Sequence, residues 1–156
     1  MMLHELTLNE LTARLAAGEV SSREAMQACL DRIDTVDGSI NAFMSIDRDD
    51  ALGQADAADE RLAKGATHAE QPLLGVPISL KDIFCVKDQP ANCSSKILGN
   101  FRSPYDGTVV QKLREAGAVI FGRVNMDEFA MGSSTENSAF GPTGNPWDCL
   151  LYTSPS

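Results

Sequence analysis

Lys81 closes a segment that is otherwise almost wholly apolar, Val76-Pro77-Ile78-Ser79-Leu80-Lys81-Asp82-Ile83-Phe84. An amine withdrawn from water is driven toward its neutral form, and a neutral lysine is a general base able to take the proton of a hydroxyl. The plainer role is a strand-end lysine whose amine reaches water along its aliphatic stem or pairs with Asp82, and local sequence alone favours that role. If the strand continues, Asp82 turns to the opposite face, which weakens the pairing.

A second candidate is the run Met131-Gly132-Ser133-Ser134-Thr135-Glu136-Asn137-Ser138. Its small residues let a backbone approach a ligand, and its hydroxyls and amide supply hydrogen bonds, which makes Met131, Gly132 and Ser133 candidates for holding a polar substrate. Turns use the same residue types, so composition leaves both readings open. No G-x-S-x-G and no G-x-x-x-x-G-K-[ST] occurs, and neither His4 nor His68 pairs with a serine by sequence order, so a histidine-based serine hydrolase is unsupported. His68 reads as a solvated surface histidine in an exposed loop. Asp127-Glu128 and Asp47-Arg48-Asp49-Asp50 are placed where helix N-termini or solvated turns use carboxylates, and no catalytic role is assigned to them.

The elements that must position these residues follow from periodicity. Thr7 and Glu10 form a capping-box pattern ahead of Leu8, Leu11 and Leu15, and Gly18 is placed to stop that first helix. Ser21 and Glu24 repeat the pattern before Met26, Leu30 and Ile33, and the second helix is expected to run to about Val36, ended by Asp37-Gly38. A short strand over Asn41 to Ile46 and an alanine-rich helix from Ala51 to Lys64, stopped by Gly65, come next. Leu73 to Leu80, with its Pro77, suits a buried strand near a sheet edge and delivers Lys81 at its end. Thr108 and Gln111 suggest another cap, with Val109, Val110, Leu113 and Ala116 as the buried face, before Gly117 and the strand Ala118 to Phe121. Helix, tight turn and buried strand are an α/β signature. Beyond Val124 the chain turns to Gly, Ser, Thr and Asn, which predicts a long loop or ligand surface with few core residues.

The 156 residues are enough for one domain with a real core, and 43% hydrophobic with 22% charged residues is ordinary globular usage. A formal charge of -9 opposes attraction to a phosphate backbone, so any nucleic acid it serves is expected to be held by a partner. No apolar run is long enough for a signal or membrane span, which points to the cytoplasm and away from membranes. Cys29, Cys85, Cys93 and Cys149 are then expected as free thiols, and with no CxxC pair no metal site is expected.

Three ordered blocks carry a resemblance. Gly75-Val76-Pro77-Ile78-Ser79-Leu80-Lys81-Asp82, Ser103-Pro104-Tyr105-Asp106-Gly107-Thr108-Val109-Val110, and Gly117-Ala118-Val119-Ile120-Phe121-Gly122-Arg123-Val124-Asn125-Met126-Asp127-Glu128-Phe129 resemble successive blocks of the amidase-signature family. Phe129 to Thr143 and Asn145-Pro146-Trp147-Asp148 are most similar to its glutaminase branch, the A subunits of tRNA-dependent amidotransferases.

The resemblance implies an α/β fold with a mixed sheet flanked by helices, residues 1–148 being the N-terminal portion of a single amidase domain truncated after it. It implies Lys81 as the catalytic lysine, relaying a proton through a bridging serine to a nucleophilic serine that attacks the amide of glutamine. The ammonia released would convert mischarged Glu-tRNA(Gln), or Asp-tRNA(Asn), held by a partner subunit. The implied partners are the B and C subunits of a heterotrimeric amidotransferase, with ATP and Mg at the partner and no cofactor bound by this chain. Family members continue into a Gly/Ser-rich signature carrying both serines, whereas here the sequence reads Cys149 to Ser156 and contains no Gly-Gly-Ser. Residues 149–156 are therefore expected to be a foreign or frame-shifted tail, and the chain is expected to be inactive alone. A stand-alone amidase of the same family, and a non-catalytic fragment retaining partner-binding surface, are the alternatives.

Overall fold

Thr7 opens α1 (Leu8–Ala17) with the expected capping box: its Oγ1 accepts the Glu10 N–H at 3.3 Å while the Glu10 carboxylate accepts the Thr7 N–H at 2.8 Å. Gly18 ends the helix at φ 69, a left-handed conformation that glycine adopts without a Cβ penalty. Leu11 and Leu15 are buried, but Leu8, at the first helical position, is exposed. The structure is a computed structural model describing residues 2–147, so Cys149 and the expected foreign tail lie outside the described residues.

Helix α2 (Ser22–Ile40) buries Met26 and Leu30 as predicted and runs four residues past the expected stop. One helical glycine costs about 1 kcal/mol relative to alanine, so Gly38 alone does not end a helix of this length. The end comes at Asn41, left-handed at φ 58, where the Asp37 carboxylate takes the Ala42 N–H at 2.7 Å. Strand β1 (Phe43–Ser45) follows, then α3 (Arg48–Ala63), capped by Asp47 accepting the Asp50 N–H at 3.1 Å. The Asp47 to Asp50 carboxylates thus sit at a helix N-terminus, as their sequence suggested.

The remaining elements are β2 (Pro77–Lys81), α4 (Thr108–Glu115) and β3 (Val119–Val124). The sheet order is β1-β3-β2. Strand β1 is antiparallel to β3, with Phe43 opposite Val124, Ser45 opposite Arg123 and an irregularity between them. Strand β2 runs alongside β3 in the same direction: the Val119 N–H donates to the Val76 carbonyl at 2.9 Å, and the Asp82 N–H to the Val124 carbonyl at 3.1 Å. All six β3 residues are buried, as a central strand requires, while Pro77 opens an edge strand where its missing N–H costs no ladder bond. The fold class is the expected mixed α/β.

Helix α4 corrects two details. Thr108 is its first residue and not its cap, Gly107 standing before it with its N–H on the Cys85 carbonyl at 2.9 Å. Val110 is buried, but Val109 is 46% exposed, so the packed face is narrower than the apolar letters suggest.

The chain divides into two compact units. The first comprises Met1–Thr35, Asp47–Ile78 and Gln111–Phe121. Its core gathers Leu11, Leu15, Ala25 and Val76, flanked by Leu6, Val20, Leu62, Leu73 and Ile78. There Gly75 donates its N–H to the Gly117 carbonyl at 3.0 Å, and a Cβ on Gly117, at φ +88, would meet the Leu74 Cα at 2.8 Å. Gly117→Ala is expected to cost about 3 kcal/mol, because the left-handed backbone and the backbone clash both oppose it, and urea unfolding would register the loss.

His68 belongs to the same unit and is not the solvated histidine expected. It is half-buried, its Nε2–H donates to the Leu74 carbonyl at 3.0 Å, and its Nδ1 is shielded with no hydrogen-bond partner. The chain turns back at Gln71 to Leu74 to enter the strand, which brings that carbonyl to the ring.

Candidate functional site

The second unit, Val36–Ile46, Ser79–Val110 and Gly122–Ser156, holds every candidate site residue. Lys81 is the last residue of β2 and is half-buried. Asp82, next to it, is 1% exposed, and its Oδ2 accepts the Ser94 N–H at 2.9 Å while its Oδ1 accepts no hydrogen bond. Burial pushes the Asp82 carboxyl above its ordinary value, and the Ser94 N–H and the buried Arg123 guanidinium oppose that rise only in part. Arg123 also donates to Gln89 Oε1 at 2.7 Å.

Ser94 continues the chain of contacts. Its hydroxyl donates to Asn125 Oδ1 at 3.1 Å and accepts the Met126 N–H at 3.1 Å. Asn125, wholly buried, takes a second hydroxyl from Ser138 at 2.7 Å and donates its Nδ2 to the Gly141 carbonyl at 2.9 Å and to Thr143 Oγ1 at 3.1 Å. One amide therefore joins the segment after Lys81 to the run beyond Met131. Beyond Val124 the sequence promised few core residues, yet Met126, Asn125, Asp127, Thr135 and Thr143 are all buried. The core there is a satisfied polar network, which hydropathy does not reveal.

Asp127 is the residue that sequence reasoning missed. Expected at a helix N-terminus or a solvated turn, it does precede the short 3-10 helix Glu128–Ala130, but it is 3% exposed. Its Oδ2 accepts the N–H groups of Ser134 and Thr135, both at 3.0 Å, and its Oδ1 accepts that of Asn137 at 2.9 Å. Desolvation raises its carboxyl, but the N–H groups of Asn137, Thr135 and Ser134 outweigh that and hold it below the usual carboxylate range. A depressed carboxyl contributes stability present above its unfolded value and lost as pH falls through the lower folded one. Amide-exchange protection at 134, 135 and 137 is therefore expected to persist below the ordinary aspartate range and to collapse together on further acidification.

Met131, Gly132 and Ser133 are exposed at the mouth of this loop, Met131 by 70%. A Cβ on Gly132 would lie 2.4 Å from Asp127 Cγ, so only glycine lets the chain cross the carboxylate there. Ser134 Oγ donates to Glu136, and Thr135 Oγ1 donates to the Ser134 carbonyl while accepting the Thr143 N–H at 2.7 Å. Ser95 Oγ donates to Glu128 at 2.6 Å. The hydroxyls of Ser95, Ser134 and Thr135 are thus engaged in holding loops.

The first unit contains a hollow of about 610 Å³ between Leu15, Val20, Asp59, Leu62 and His68. Its Asp59 carboxylate already receives the Ser22 and Arg23 N–H groups at 2.6 and 3.0 Å, and no reactive pair lines it.

An amidase family model matches residues 24–152, most of the chain. The chain belongs to the amidase family. The glutamyl-tRNA(Gln) amidotransferase A chain of Geobacter sulfurreducens is 58% identical over 148 residues, which are 95% of this chain and 30% of the relative. The native peptide amidase of Stenotrophomonas maltophilia superposes with a TM-score of 0.83 at 33% identity, over 93% of this chain and 31% of that one. The corresponding glutamyl-tRNA(Gln) amidotransferase protein of Thermotoga maritima gives 0.72 at 35%, over 94% and 28%. The chain spans about three-tenths of the length of the curated relatives it matches. Lys81, which closes the first of the three family blocks with Asp82, ends a strand of the mixed sheet. No helix among the described residues is long and apolar enough to cross a membrane.

Proposed function

We propose that this chain is the N-terminal portion of the glutaminase subunit of a tRNA-dependent amidotransferase and that Lys81 is its general base. The observation that carries the reading is the high identity to the glutaminase subunits of such amidotransferases across nearly the whole chain. In the reaction, the Lys81 amine draws a proton, through a bridging serine, from a nucleophilic serine. That serine attacks the side-chain carbonyl of glutamine, and the C–N bond breaks as the leaving nitrogen takes the proton held by Lys81 and departs as ammonia. Water, whose proton returns to the serine, then releases glutamate from the acyl-enzyme. Both serines come from the part of the relatives' length that this chain does not span. Met131, Gly132 and Ser133 line the substrate, and donors must meet the oxyanion.

The ammonia serves Glu-tRNA(Gln) held by B and C partner subunits, where ATP and Mg activate the acceptor, in the cytoplasm. The charge of -9 supports delegating the tRNA to a partner. A second reading, an amidase acting without partners on another amide, is favoured by the higher TM-score of the peptide amidase.

A hybrid subunit decides between them: residues 1–147 replace the matching segment of the Geobacter sulfurreducens protein, followed by the rest of that protein. Glutamine hydrolysis and amidation of Glu-tRNA(Gln) by the hybrid with its B and C partners support the first reading. Hydrolysis of peptide amides with no glutamine turnover supports the second. The 156-residue chain by itself is expected to release no ammonia from glutamine, and measurable turnover abolished by Lys81→Ala would overturn that expectation.

A further inference from the structure

The loop after Met131 is wound around a single carboxylate. Ser134, Thr135 and Asn137 all turn their N–H groups inward onto Asp127, two on Oδ2 and one on Oδ1. Successive N–H groups converging in this way form an anion-binding concavity, and here the chain fills it with its own side chain. Gly132 passes so close that a methyl group would overlap the Asp127 carboxyl carbon. Thr135 then passes the constraint on, its Oγ1 accepting the Thr143 N–H at 2.7 Å. The path of residues 131–137 is therefore set by one buried group that itself faces no solvent.

We propose that Asp127 is the positioning residue for substrate binding, fixing the main chain of Met131, Gly132 and Ser133 from behind. This rests on the reading that those three residues line the amide substrate. Asp127 does not touch the substrate and takes no proton in the reaction. It acts by supplying acceptors that no neutral side chain of the same size supplies. In Asp127→Asn, one of the two carboxylate oxygens becomes an NH2 group. In either amide orientation, at least one of the three inward N–H groups then faces a donor. Gly132→Ala disturbs the same crossing from the loop side and leaves the charge in place.

The test uses the hybrid subunit in its complex with the B and C partners. Asp127→Asn is expected to raise KM for glutamine about tenfold while kcat stays within threefold, and amide exchange at 134, 135 and 137 is expected to quicken at least tenfold. Gly132→Ala should reproduce the KM rise, which keeps the assignment testable if Asp127→Asn folds poorly. A merely structural role lowers the folded fraction, measured by active-site titration, with KM unchanged. That outcome, or a fall in kcat alone, overturns the proposal. If Lys81→Ala leaves turnover intact, the amidase reading itself fails. If Lys81 is essential and both loop variants keep KM, only the assignment of Asp127 fails.

Discussion

Lys81→Ala in the hybrid subunit is expected to lower glutamine hydrolysis by about 10³-fold or more, with glutamine binding nearly retained. A serine hydroxyl is a weak nucleophile until a base removes its proton, and general-base catalysis typically contributes 10²–10⁴-fold. The alternative is a lysine kept for its charge at a strand end, and Lys81→Arg separates the two. Arginine keeps the charge and a comparable stem but does not give up its proton at any working pH, so a base role makes it as inactive as alanine. A strand-end cation reaching water tolerates that change within a few-fold. Ammonia release assayed by glutamate dehydrogenase coupling reads both variants. Because Lys81 is half-buried at the end of an edge strand and not in the core, neither change should move the melting temperature by more than a few degrees. Arginine activity within tenfold of the parent would sink the assignment.

The helix starts at Thr7 and Ser21 were legible because they are local chemistry, whereas α3 begins before the expected Ala51 and α4 takes Thr108 as its first residue. The Thr7–Glu10 box needs only four residues in sequence, and its geometry is as the letters imply. The first half of β3 was legible because the apolar, β-branched run Ala118 to Phe121 has few other destinations, but its continuation through Gly122 and Arg123 to Val124 was not. The end of α2 was not, since Gly38 weakens a helix locally and tertiary contacts decide whether it continues; the stop lies in Asn41 and the long-range use of Asp37. Val109 and Val110 are alike in sequence and opposite in exposure, a matter of which side of α4 meets its neighbours.

At the site, Lys81 was visible as a charge in an apolar run and the 131–133 stretch as mostly small residues, while the roles proposed for them came from ordered motifs. Asp127 and Asn125 were hidden for one reason: an acidic or amide side chain reads as surface until its partners are known, and those partners lie 7 to 10 residues away for Asp127. They are up to 84 residues away for Asn125. A run of Ser, Thr, Asn and Gly after a lone Asp, rich in backbone donors able to turn inward, was the one available signal.

Asn125→Ala should then cost the chain about 4 kcal/mol in urea unfolding, more than an exposed amide could. The side chain is fully buried, its Oδ1 accepts from Ser94, Ser138 and the Met126 N–H, and its Nδ2 serves Gly141 and Thr143. Alanine orphans the Ser94 and Ser138 hydroxyl protons, each buried unsatisfied group costing about 1–3 kcal/mol, while the Gly141 carbonyl keeps the Asn41 amide at 3.3 Å and the half-exposed Ser138 recovers part of its loss from water. The Met126 N–H keeps Ser94 Oγ, so its share is small. Thr143→Val, which preserves shape and removes one partner, should cost about 1 kcal/mol, and a loss under 1 kcal/mol for Asn125→Ala would show that water replaces the amide. The discriminating consequence is spatial. Because Asn125 holds Ser94, whose N–H grips Asp82 beside Lys81, and also Ser138 at the far end of the Asp127 loop, exchange protection at 94 and at 134–138 should fall together. A core truncation such as Val110→Ala lowers stability without that selective pairing, so a paired loss would show that the segment beside Lys81 and the 134–138 loop are coupled through one amide and not through general packing.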